Sequence, residues 1–253
     1  MYEQGFSEVY DKLQDADYNG FVEFYKKVFE KFGLNPKLVL DLACGTGSIT
    51  VKLSEAGYDM TGVDLSTEML NIAREKAIEA GQDILFLNQD MTEFELFGTV
   101  DAIVSTLDGI NYLTEDGDLE KVFNLCRNYL NPGGLMIFDI NSEYKLKEVL
   151  GNNTFVFDEE GIFYVWQNEY SPEDRICSFC LDFFVENKQG GYERFSEYQE
   201  ERAYSENEIS SAAEAAGLEV LGCFSGFDFE TANEKSERLF FVLKNKENHK
   251  RTC

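Results

Sequence analysis

Histidine is almost absent from this chain of 253 residues: there is one, His249, in the C-terminal tail. Catalytic triads and dyads that activate serine or cysteine use histidine as the base, and many metal sites use it as a ligand. The sequence therefore argues against a hydrolase of the triad type and against a histidine-ligated metal. Sites built from carboxylates alone stay open, although we expect no metal.

Cationic residues are also scarce. The 22 lysines and arginines face 48 aspartates and glutamates, which gives a formal net charge of −26. Nucleic-acid affinity comes largely from neutralising phosphates with lysine and arginine, and a strongly negative field opposes it. The one basic cluster lies in the tail, in residues 244–251. We therefore expect no nucleic-acid partner.

Long apolar runs and secretory signals are missing as well. No apolar stretch approaches the roughly 20 residues that span a bilayer. Residues 1–5, Met-Tyr-Glu-Gln-Gly, lack the basic and apolar regions of a signal peptide. We expect a cytoplasmic protein with no membrane partner.

The six cysteines form no framework, and five of them lie among apolar neighbours, as reduced core cysteines do. Only Cys177 and Cys180 have the spacing of a metal pair. Their segment alternates as a strand does, and residues three apart on a strand face opposite sides. The two thiols are therefore predicted not to converge on a metal.

The residues that are present indicate a globular chain, 43% hydrophobic and 14% aromatic. An aromatic-rich arm containing Tyr2, Phe6, Tyr10 and Tyr18 precedes a predicted amphipathic helix over residues 20–32. Strand and helix patterns then alternate. The predicted strands are 37–42, 58–64, 84–88, 100–106 and 135–140, and the predicted helices are 47–56, 66–80 and 118–130, the last closed by Asn-Pro-Gly-Gly.

The pattern changes in the second half. Residues 153–203 lack a helix signal, and 176–186 alternate between apolar and polar residues before a glycine turn and a polar-rich strand over 192–202. A helix over 206–216 and strands over 218–224 and 238–244 follow. The prediction is an α/β fold with a doubly wound, mostly parallel seven-stranded sheet, built from residues 1–140 and 204–246. Residues 141–203 form an inserted antiparallel β subdomain.

The strongest local signal is a glycine turn in residues 39–47, between the first strand and a helix. Such a turn serves NAD, a flavin, S-adenosylmethionine or packing alone. Asp41 precedes the glycines and would repel a pyrophosphate, and Thr50 stands where a dinucleotide motif has its third glycine. Asp64 ends the second strand, where a carboxylate accepts ribose hydroxyls, and Asp90 follows the third. The combination disfavours phosphate binding.

Four motifs in order resemble those of the class I S-adenosylmethionine-dependent methyltransferases. They are Asp-Leu-Ala-Cys-Gly-Thr-Gly at 41–47, Gly-Val-Asp-Leu-Ser at 62–66 with Met69, Gln-Asp-Met at 89–91 and Asn-Pro-Gly-Gly at 131–134. The resemblance implies a Rossmann-like domain with S-adenosylmethionine as cofactor. It covers about residues 38–139.

The resemblance also implies a role for each matching position. Asp41, Ala43 and Gly45 would line the methionine portion of the cofactor, Asp64 would hold the ribose, Leu65 and Met69 would cover the adenine, Asp90 and the backbone of Met91 would read its edge, and the carbonyl of Leu107 would accept from the ammonium. Tyr10 and Tyr18 belong to an arm that, by resemblance to a bacterial group in the superfamily, folds over the cofactor.

Residues 107–113, Leu-Asp-Gly-Ile-Asn-Tyr-Leu, are similar to a stretch in the same bacterial group, with Leu107 and Gly109 replacing the cysteine and serine often found there. The candidates to orient the acceptor or ease its proton loss are Tyr10, Tyr18, Asp108, Asn111, Tyr112 and Asn141, with Asp108 and Tyr18 favoured. Asp108 and Asn111 also suit a plain turn. An antiparallel insertion roofs the substrate pocket in some small-molecule N-methyltransferases, including amino-sugar dimethyltransferases.

These features favour methyl transfer to a small molecule at an amine nitrogen, because a neutral amine needs no strong base and an oxygen acceptor usually needs a base or metal. Three alternatives stay open. They are a non-enzymatic S-adenosylmethionine-binding module, a methyltransferase acting on RNA or protein, and an NAD-dependent oxidoreductase.

Overall fold

The structure is a computed structural model that describes residues 4–13, 16–159 and 161–246. The strands are β1 (Leu38–Leu42), β2 (Asp59–Asp64), β3 (Leu85–Asn88), β4 (Val100–Ser105), β5 (Leu130–Asn141), β6 (Thr154–Glu159), β7 (Ile162–Ser171), β8 (Ile176–Glu186), β9 (Tyr192–Arg202), β10 (Leu218–Phe224) and β11 (Arg238–Asn245). The helices are α1 (Gln4–Leu13), α2 (Tyr18–Lys31), α3 (Ser48–Glu55), α4 (Thr67–Glu79), α5 (Asp118–Tyr129) and α6 (Glu206–Ala215), with a 3₁₀ turn at Gly109–Tyr112 and a π-helical turn at Lys145–Leu150.

Seven strands form the main sheet in the order β10-β11-β5-β4-β1-β2-β3. The strands from β5 to β3 are parallel, and β10 and β11 pair antiparallel at the other edge. The predicted doubly wound, mostly parallel sheet is confirmed. None of the helices in the described part of the chain is long and apolar enough to cross a membrane.

Helices cover both faces of this sheet, as continuously apolar parallel strands require. On β4, Ile103 packs into a cluster with Val122 of α5, whereas its neighbours Ala102 and Val104 pack on the other face against α2. All three β4 residues are fully buried. The core is therefore split into two layers by the sheet, and the carboxyl ends of the strands are left to form a site.

The second sheet is the predicted antiparallel insertion, in the order β6-β7-β8-β9. Cys177 and Phe183 of β8 are buried on its inner face, and Cys180 is exposed on the other. The two thiols therefore diverge, as the strand argument predicts. Cys180 is one of the five cysteines with apolar sequence neighbours, but it is not a core cysteine, because it falls on the outward phase of the strand.

Two local predictions need correction. The N-terminal arm contains a regular helix, α1, whose Phe6 and Val9 are buried. The strand predicted to begin at residue 135 begins at Leu130, which pairs with Val100 across a register irregularity. The Asn-Pro-Gly-Gly motif therefore lies inside β5, where a side chain at Gly134 would meet the Asp101 carbonyl oxygen at 2.7 Å. His249, Cys253, Tyr2 and the basic end of the tail lie outside the described residues.

Candidate functional site

A cavity of about 660 Å³ lies at the carboxyl ends of the central strands. The chain runs outward from β1 to β3 and then returns to β4 on the other side of β1, so the strand order reverses between β1 and β4. Ligands of open α/β sheets bind at such a reversal. Residues of α1 and of the inner face of the antiparallel sheet, among them Phe6, Tyr164 and Leu181, line the opposite wall.

The glycine turn after β1 forms the floor. Ala43, Gly45 and Gly47 all have positive φ, at 60°, 54° and 72°. Residues other than glycine rarely adopt this backbone conformation. A side chain at Gly47 would approach the Ala73 Cβ at 2.8 Å, so this glycine allows α3 to pack closely on α4. A side chain at Gly45 would meet no atom within 4 Å. Gly45 therefore leaves its backbone open to a ligand.

Asp41 lies beneath this turn and is buried. Its Oδ2 accepts a hydrogen bond from the Thr50 hydroxyl at 2.6 Å. Its Oδ1 is buried and has no partner among the described residues. Burial raises the pKa of Asp41 to about 7, with the Thr50 hydrogen bond opposing the rise and the Asp64 charge adding to it. An unpaired buried carboxylate oxygen of this kind is costly unless a ligand supplies a donor or a cation.

Asp64 joins the glycine turn to the end of β2. Its two carboxylate oxygens accept from the backbone N–H groups of Gly45 and Ser66, each at 2.8 Å. Burial raises its pKa, and these hydrogen bonds oppose the rise. Each oxygen has a second lone pair, and Asp64 lines the cavity. The carboxylate can therefore accept further hydrogen bonds from a ligand.

The end of β3 places Asp90 and Met91 along the same wall. Asp90 Oδ1 accepts from the backbone N–H and the hydroxyl of Thr92, both at 2.7 Å. Leu65 is half exposed at the cavity rim, and Met69 is buried. The sequence-predicted residues of β2 and β3 therefore converge on one side of the cavity.

Helix α1 covers this side and contacts the glycine turn and α4. The Asp11 carboxylate pairs with Lys76 at 2.6 Å and accepts from the Thr46 hydroxyl at 2.8 Å. Phe6 packs in a cluster with Met69. The predicted arm residues Tyr10 and Tyr18 both line the cavity. Burial raises the pKa of the Tyr18 hydroxyl, and the Asp11 charge adds to the rise.

The other end of the cavity begins after β4. Leu107 and Asp108 both have a φ of 59°, and their N–H groups donate to the two oxygens of Asp139 at 2.9 and 3.1 Å. Arg238 of β11 pairs with Asp108 at 2.8 Å and closely with Asp139. These two carboxylates raise the pKa of Arg238 despite its burial. Asp108 therefore lines the cavity as an ion-paired carboxylate held by a strained turn.

Asn111 has a different place from the one predicted. Its Nδ2 donates to the backbone carbonyls of Asn141 and Arg202, at 3.0 and 2.9 Å, and its Oδ1 accepts from the Asn141 N–H at 2.9 Å. It is fully buried and is not among the described residues that line the cavity. The proposed role in orienting the acceptor is corrected. Asn111 joins β5 to the end of β9.

Sequence reasoning missed Lys145 and Glu201, which Asn141 connects. Asn141 donates to Glu201 Oε2 at 2.7 Å and accepts from Lys145 Nζ at 2.8 Å. All three line the cavity. Burial raises the pKa of Glu201 well above its usual value, and the Asp108 charge adds to the rise, whereas Asn141, Lys145 and Arg238 oppose it.

A signal for Glu201 exists in the sequence. Strand β9 is rich in polar residues, and its register with β8 places Glu201 opposite Cys177 and Gln199 opposite Phe179. Paired residues share a face of a sheet, so alternate polar residues of β9 lie on the apolar inner face of the insertion. Without the register, either phase of the strand could face the cavity.

Comparison with known proteins identifies the family. Residues 39–134 match a family described as "Methyltransferase domain". The Bacillus subtilis (strain 168) protein YqeM, named as a methyltransferase, is 36% identical over 243 residues, which are 95% of this chain and 96% of YqeM. An S-adenosylmethionine-dependent methyltransferase from Clostridium acetobutylicum ATCC 824 has a crystal structure with a TM-score of 0.89 and 36% identity, covering 96% of this chain and 98% of that one.

The chain belongs to the class I S-adenosylmethionine-dependent methyltransferases. It is an enzyme of that type, with S-adenosylmethionine as cofactor, and the alternatives of an oxidoreductase and a non-enzymatic module are set aside. CalS10, an amino pentose methyltransferase from Micromonospora echinaspora whose structure contains bound S-adenosylmethionine, shares the fold at 19% identity, with a TM-score of 0.75 and coverage of 97% and 98%.

The residues present fit this cofactor. S-adenosylmethionine carries a sulfonium, an α-ammonium, two ribose hydroxyls and an adenine, all of which suit carboxylate acceptors. The cavity offers the unpaired Asp41 Oδ1, the remaining acceptor capacity of Asp64 and the side-chain-free approach at Gly45. This set of hydrogen-bond acceptors therefore agrees with a cationic ligand rather than with a pyrophosphate.

Proposed function

We propose that the enzyme methylates an amine nitrogen of a small molecule that binds beneath the antiparallel insertion. The observation that carries the proposal is the acceptor end of the cavity, where Glu201 is buried in the wall. When bound, the cofactor supplies a methyl carbon already activated by the sulfonium. The protein is left to align the acceptor and exclude water.

We also propose the cofactor contacts that the motifs imply. Asp41, Ala43 and Gly45 would hold the methionine portion, Asp64 the ribose, Leu65 and Met69 the adenine faces, Asp90 and Met91 the adenine edge, and the Leu107 carbonyl the ammonium, with Tyr10 and Tyr18 above. All of these residues line the same cavity, which supports the proposed set of cofactor contacts. Residues 1–140 and 204–246 would bind the cofactor, and 141–203 would roof the acceptor.

The size of the cavity supports a small acceptor. Its volume of about 660 Å³ lies in the usual range for a ligand pocket, about 300–1,000 Å³, and must hold the cofactor as well. The net charge of −26 opposes a phosphate-rich acceptor. We therefore favour a small molecule over RNA or protein.

The charges of the lining support an amine. Among the described lining residues, the carboxylates are Asp41, Asp64, Asp90, Asp108, Asp118, Glu197, Glu200 and Glu201, whereas the cations are Lys145 and Arg238. Arg238 is held by Asp108 and Asp139. A surplus of carboxylates stabilises a cationic acceptor, which an amine is at neutral pH and an alcohol is not.

Tyr18 and Asp108 keep their proposed roles in orienting the acceptor, because both line the cavity. Asp108 is paired with Arg238 at 2.8 Å. Its task would be to fix the loop after β4 at the boundary between cofactor and acceptor.

Matched acceptors test the proposal. Purified enzyme with S-adenosylmethionine is offered pairs of compounds that differ only in an amine or a hydroxyl, such as glucosamine and glucose, and methylated products are detected by mass spectrometry. We expect methylation of amine members and none of their hydroxyl partners. Methylation of the hydroxyl members, or transfer only to added RNA or protein, would reject the proposal.

We further propose a bacterial, cytoplasmic protein. The named relatives are bacterial, and the five cysteines in the described residues are all free thiols, as a reducing compartment favours. Fractionation of the source cells would check this.

A further inference from the structure

Glu201 is an unusual carboxylate for the interior of a protein. It is 3% exposed, yet none of the cations lies in direct ion-pair contact with it in the described part of the chain. Burying a charge without a partner costs several kcal/mol in practice. Its environment therefore needs an explanation beyond packing.

The explanation begins with Asn141. Because its amide accepts from Lys145 and donates to Glu201, at 2.8 and 2.7 Å, it lies between the cation and the carboxylate. Glu201 Oε2 is used by this contact. Glu201 Oε1 has no hydrogen bond to any residue that the structure describes, and the side chain lines the cavity. One oxygen is fixed and the other is available to a ligand.

The other charged groups around Glu201 do not supply a partner for Oε1. Arg238 on β11 is engaged by Asp108, in the loop after β4, and by Asp139 of β5. Cys177, opposite Glu201 on β8, is a neutral thiol whose pKa burial raises to about 12. The Asp108 charge is negative and raises the pKa of Glu201 further. The local field around Oε1 therefore favours an added cation.

We propose that Glu201 binds the acceptor as an alkyl ammonium ion through Oε1 and removes its proton before methyl transfer. The inference rests on the proposed amine methylation and names its substrate class. The acceptor is an aliphatic amine that enters protonated, rather than an aryl amine or an amide, which are neutral at physiological pH.

The proton step balances within the site. An N–H bond of the ammonium breaks, its electron pair stays on nitrogen, and the proton forms an O–H bond with Glu201. The nitrogen lone pair then forms the N–C bond with the methyl carbon, while the C–S bond breaks and its electron pair stays on sulfur. The proton on Glu201 returns to solvent when the product leaves. The raised pKa of Glu201 suits a group that accepts and releases a proton.

A cofactor analogue tests the site without knowledge of the acceptor. Sinefungin carries a primary amine where S-adenosylmethionine carries the transferable methyl group, and S-adenosylhomocysteine carries neither. The ratio of their dissociation constants, measured by calorimetry, reports on a carboxylate near the acceptor position. Contacts shared by both ligands, including those of Asp41, cancel in the ratio.

Glu201→Gln keeps the acceptor for Asn141 and removes the charge. We expect it to reduce the preference for sinefungin by about tenfold, with unchanged affinity for S-adenosylhomocysteine. Glu201→Asp should keep part of the preference. Glu193→Gln, which removes the same charge at the exposed end of β9, is the matched control and should leave the ratio unchanged.

The pH dependence adds a readout that a purely structural residue would not move. In the wild type, the preference for sinefungin should rise with pH as Glu201 loses its proton, and Glu201→Gln should abolish that rise. A wild-type ratio that does not vary with pH overturns the proposal, even if Glu201→Gln does not fold. A folded Glu201→Gln protein with an unchanged ratio overturns it as well.

The test separates this inference from the proposed function. If the wild type methylates hydroxyl compounds but the sinefungin preference depends on Glu201, amine methylation fails and the ammonium site stands. If amines are methylated and the preference ignores Glu201, the proposed function stands and the role of Glu201 is rejected.

Discussion

Replacing Asp41 by asparagine should destabilise the cofactor-free protein at low pH and stabilise it at high pH. The folded-state pKa of Asp41 is raised from 3.8 to about 7. Below pH about 4, Asp41 is protonated in both the folded and the unfolded state, and its raised pKa costs no stability. As pH rises from about 4 to about 7, only the unfolded state loses the proton, and the folded state loses stability. At about 1.4 kcal/mol per pKa unit, the cost reaches about 4 kcal/mol above pH 7.

Asparagine removes that cost and adds another. Its oxygen can accept from Thr50 as Asp41 Oδ2 does, but its NH₂ group then takes the place of Oδ1, which has no partner among the described residues. An unsatisfied buried donor costs about 1–3 kcal/mol. Asp41→Asn should therefore stabilise the cofactor-free protein by about 1–3 kcal/mol at pH 8. The gain at pH 8 should exceed that at pH 5 by about 3 kcal/mol.

Urea unfolding of the cofactor-free wild type and of Asp41→Asn, at pH 5 and at pH 8, measures this difference in the free energy of unfolding directly. Asp101→Asn is a matched control in the same sheet. Burial raises the pKa of Asp101, but hydrogen bonds from the backbone N–H groups of Leu38 and Lys37 and from the Asn131 amide together outweigh it and hold the pKa below its usual value. That stabilisation is already complete at pH 5, which lies above the unfolded-state pKa of 3.8, so Asp101→Asn should cost the same stability at pH 5 as at pH 8. If Asp41→Asn has the same effect at both pH values, or is more destabilising at the higher one, the reasoning is refuted.

The same substitution should weaken the cofactor. Loss of a charge-assisted contact to the α-ammonium corresponds to about 1.5–3 kcal/mol, or a rise of about 10- to 150-fold in the dissociation constant of S-adenosylhomocysteine. A more stable protein with weaker binding would show that Asp41 is retained for its ligand. Unchanged affinity would remove Asp41 from the proposed cofactor set.

Asp64→Ala should weaken cofactor binding by about 1.5–3 kcal/mol in calorimetric titration, because it removes a charged ribose acceptor; unchanged affinity would refute that role. Deletion of residues 1–16 should lower cofactor affinity by about tenfold or more and reduce turnover, since it removes the apolar cover that α1 provides; full affinity and turnover would show that α1 is no lid. Replacing Cys177 and Cys180 by serine should leave metal content and activity unchanged, and loss of bound zinc on elemental analysis would contradict the divergence of the two thiols.

The sequence was sufficient for the fold because the signals there are local. Apolar strands of five or six residues, glycine stops and N-caps recur along the chain. Ser66, for example, caps α4 by accepting from the Met69 N–H at 3.2 Å. The cofactor wall was predictable for a related reason. Its residues follow the ends of neighbouring parallel strands, and such ends lie side by side at one edge of a sheet.

The acceptor end was less predictable because its contacts join distant parts of the chain. Arg238 meets Asp108 across 130 residues and Asp139 across 99. Asn111 looked like a pocket residue from its neighbours in the sequence, but its side chain is used entirely by backbone groups that the fold brings to it. The orientation of Glu201 depends on the β8–β9 register, which no residue of β9 specifies alone.

The distribution of charge addresses a difficulty that any amine methylation of this type must meet. The cofactor is a sulfonium cation, and an alkyl amine arrives as a second cation. At a separation of about 4 Å, two unit charges repel by about 4 kcal/mol in a partly screened site. In the proposed reaction, the carboxylates of the lining reduce the cost of gathering both cations. Proton transfer to Glu201 then removes the repulsion as it creates the nucleophile. A neutral alcohol gains from neither effect, so the preference for amines over hydroxyl compounds would be electrostatic rather than steric.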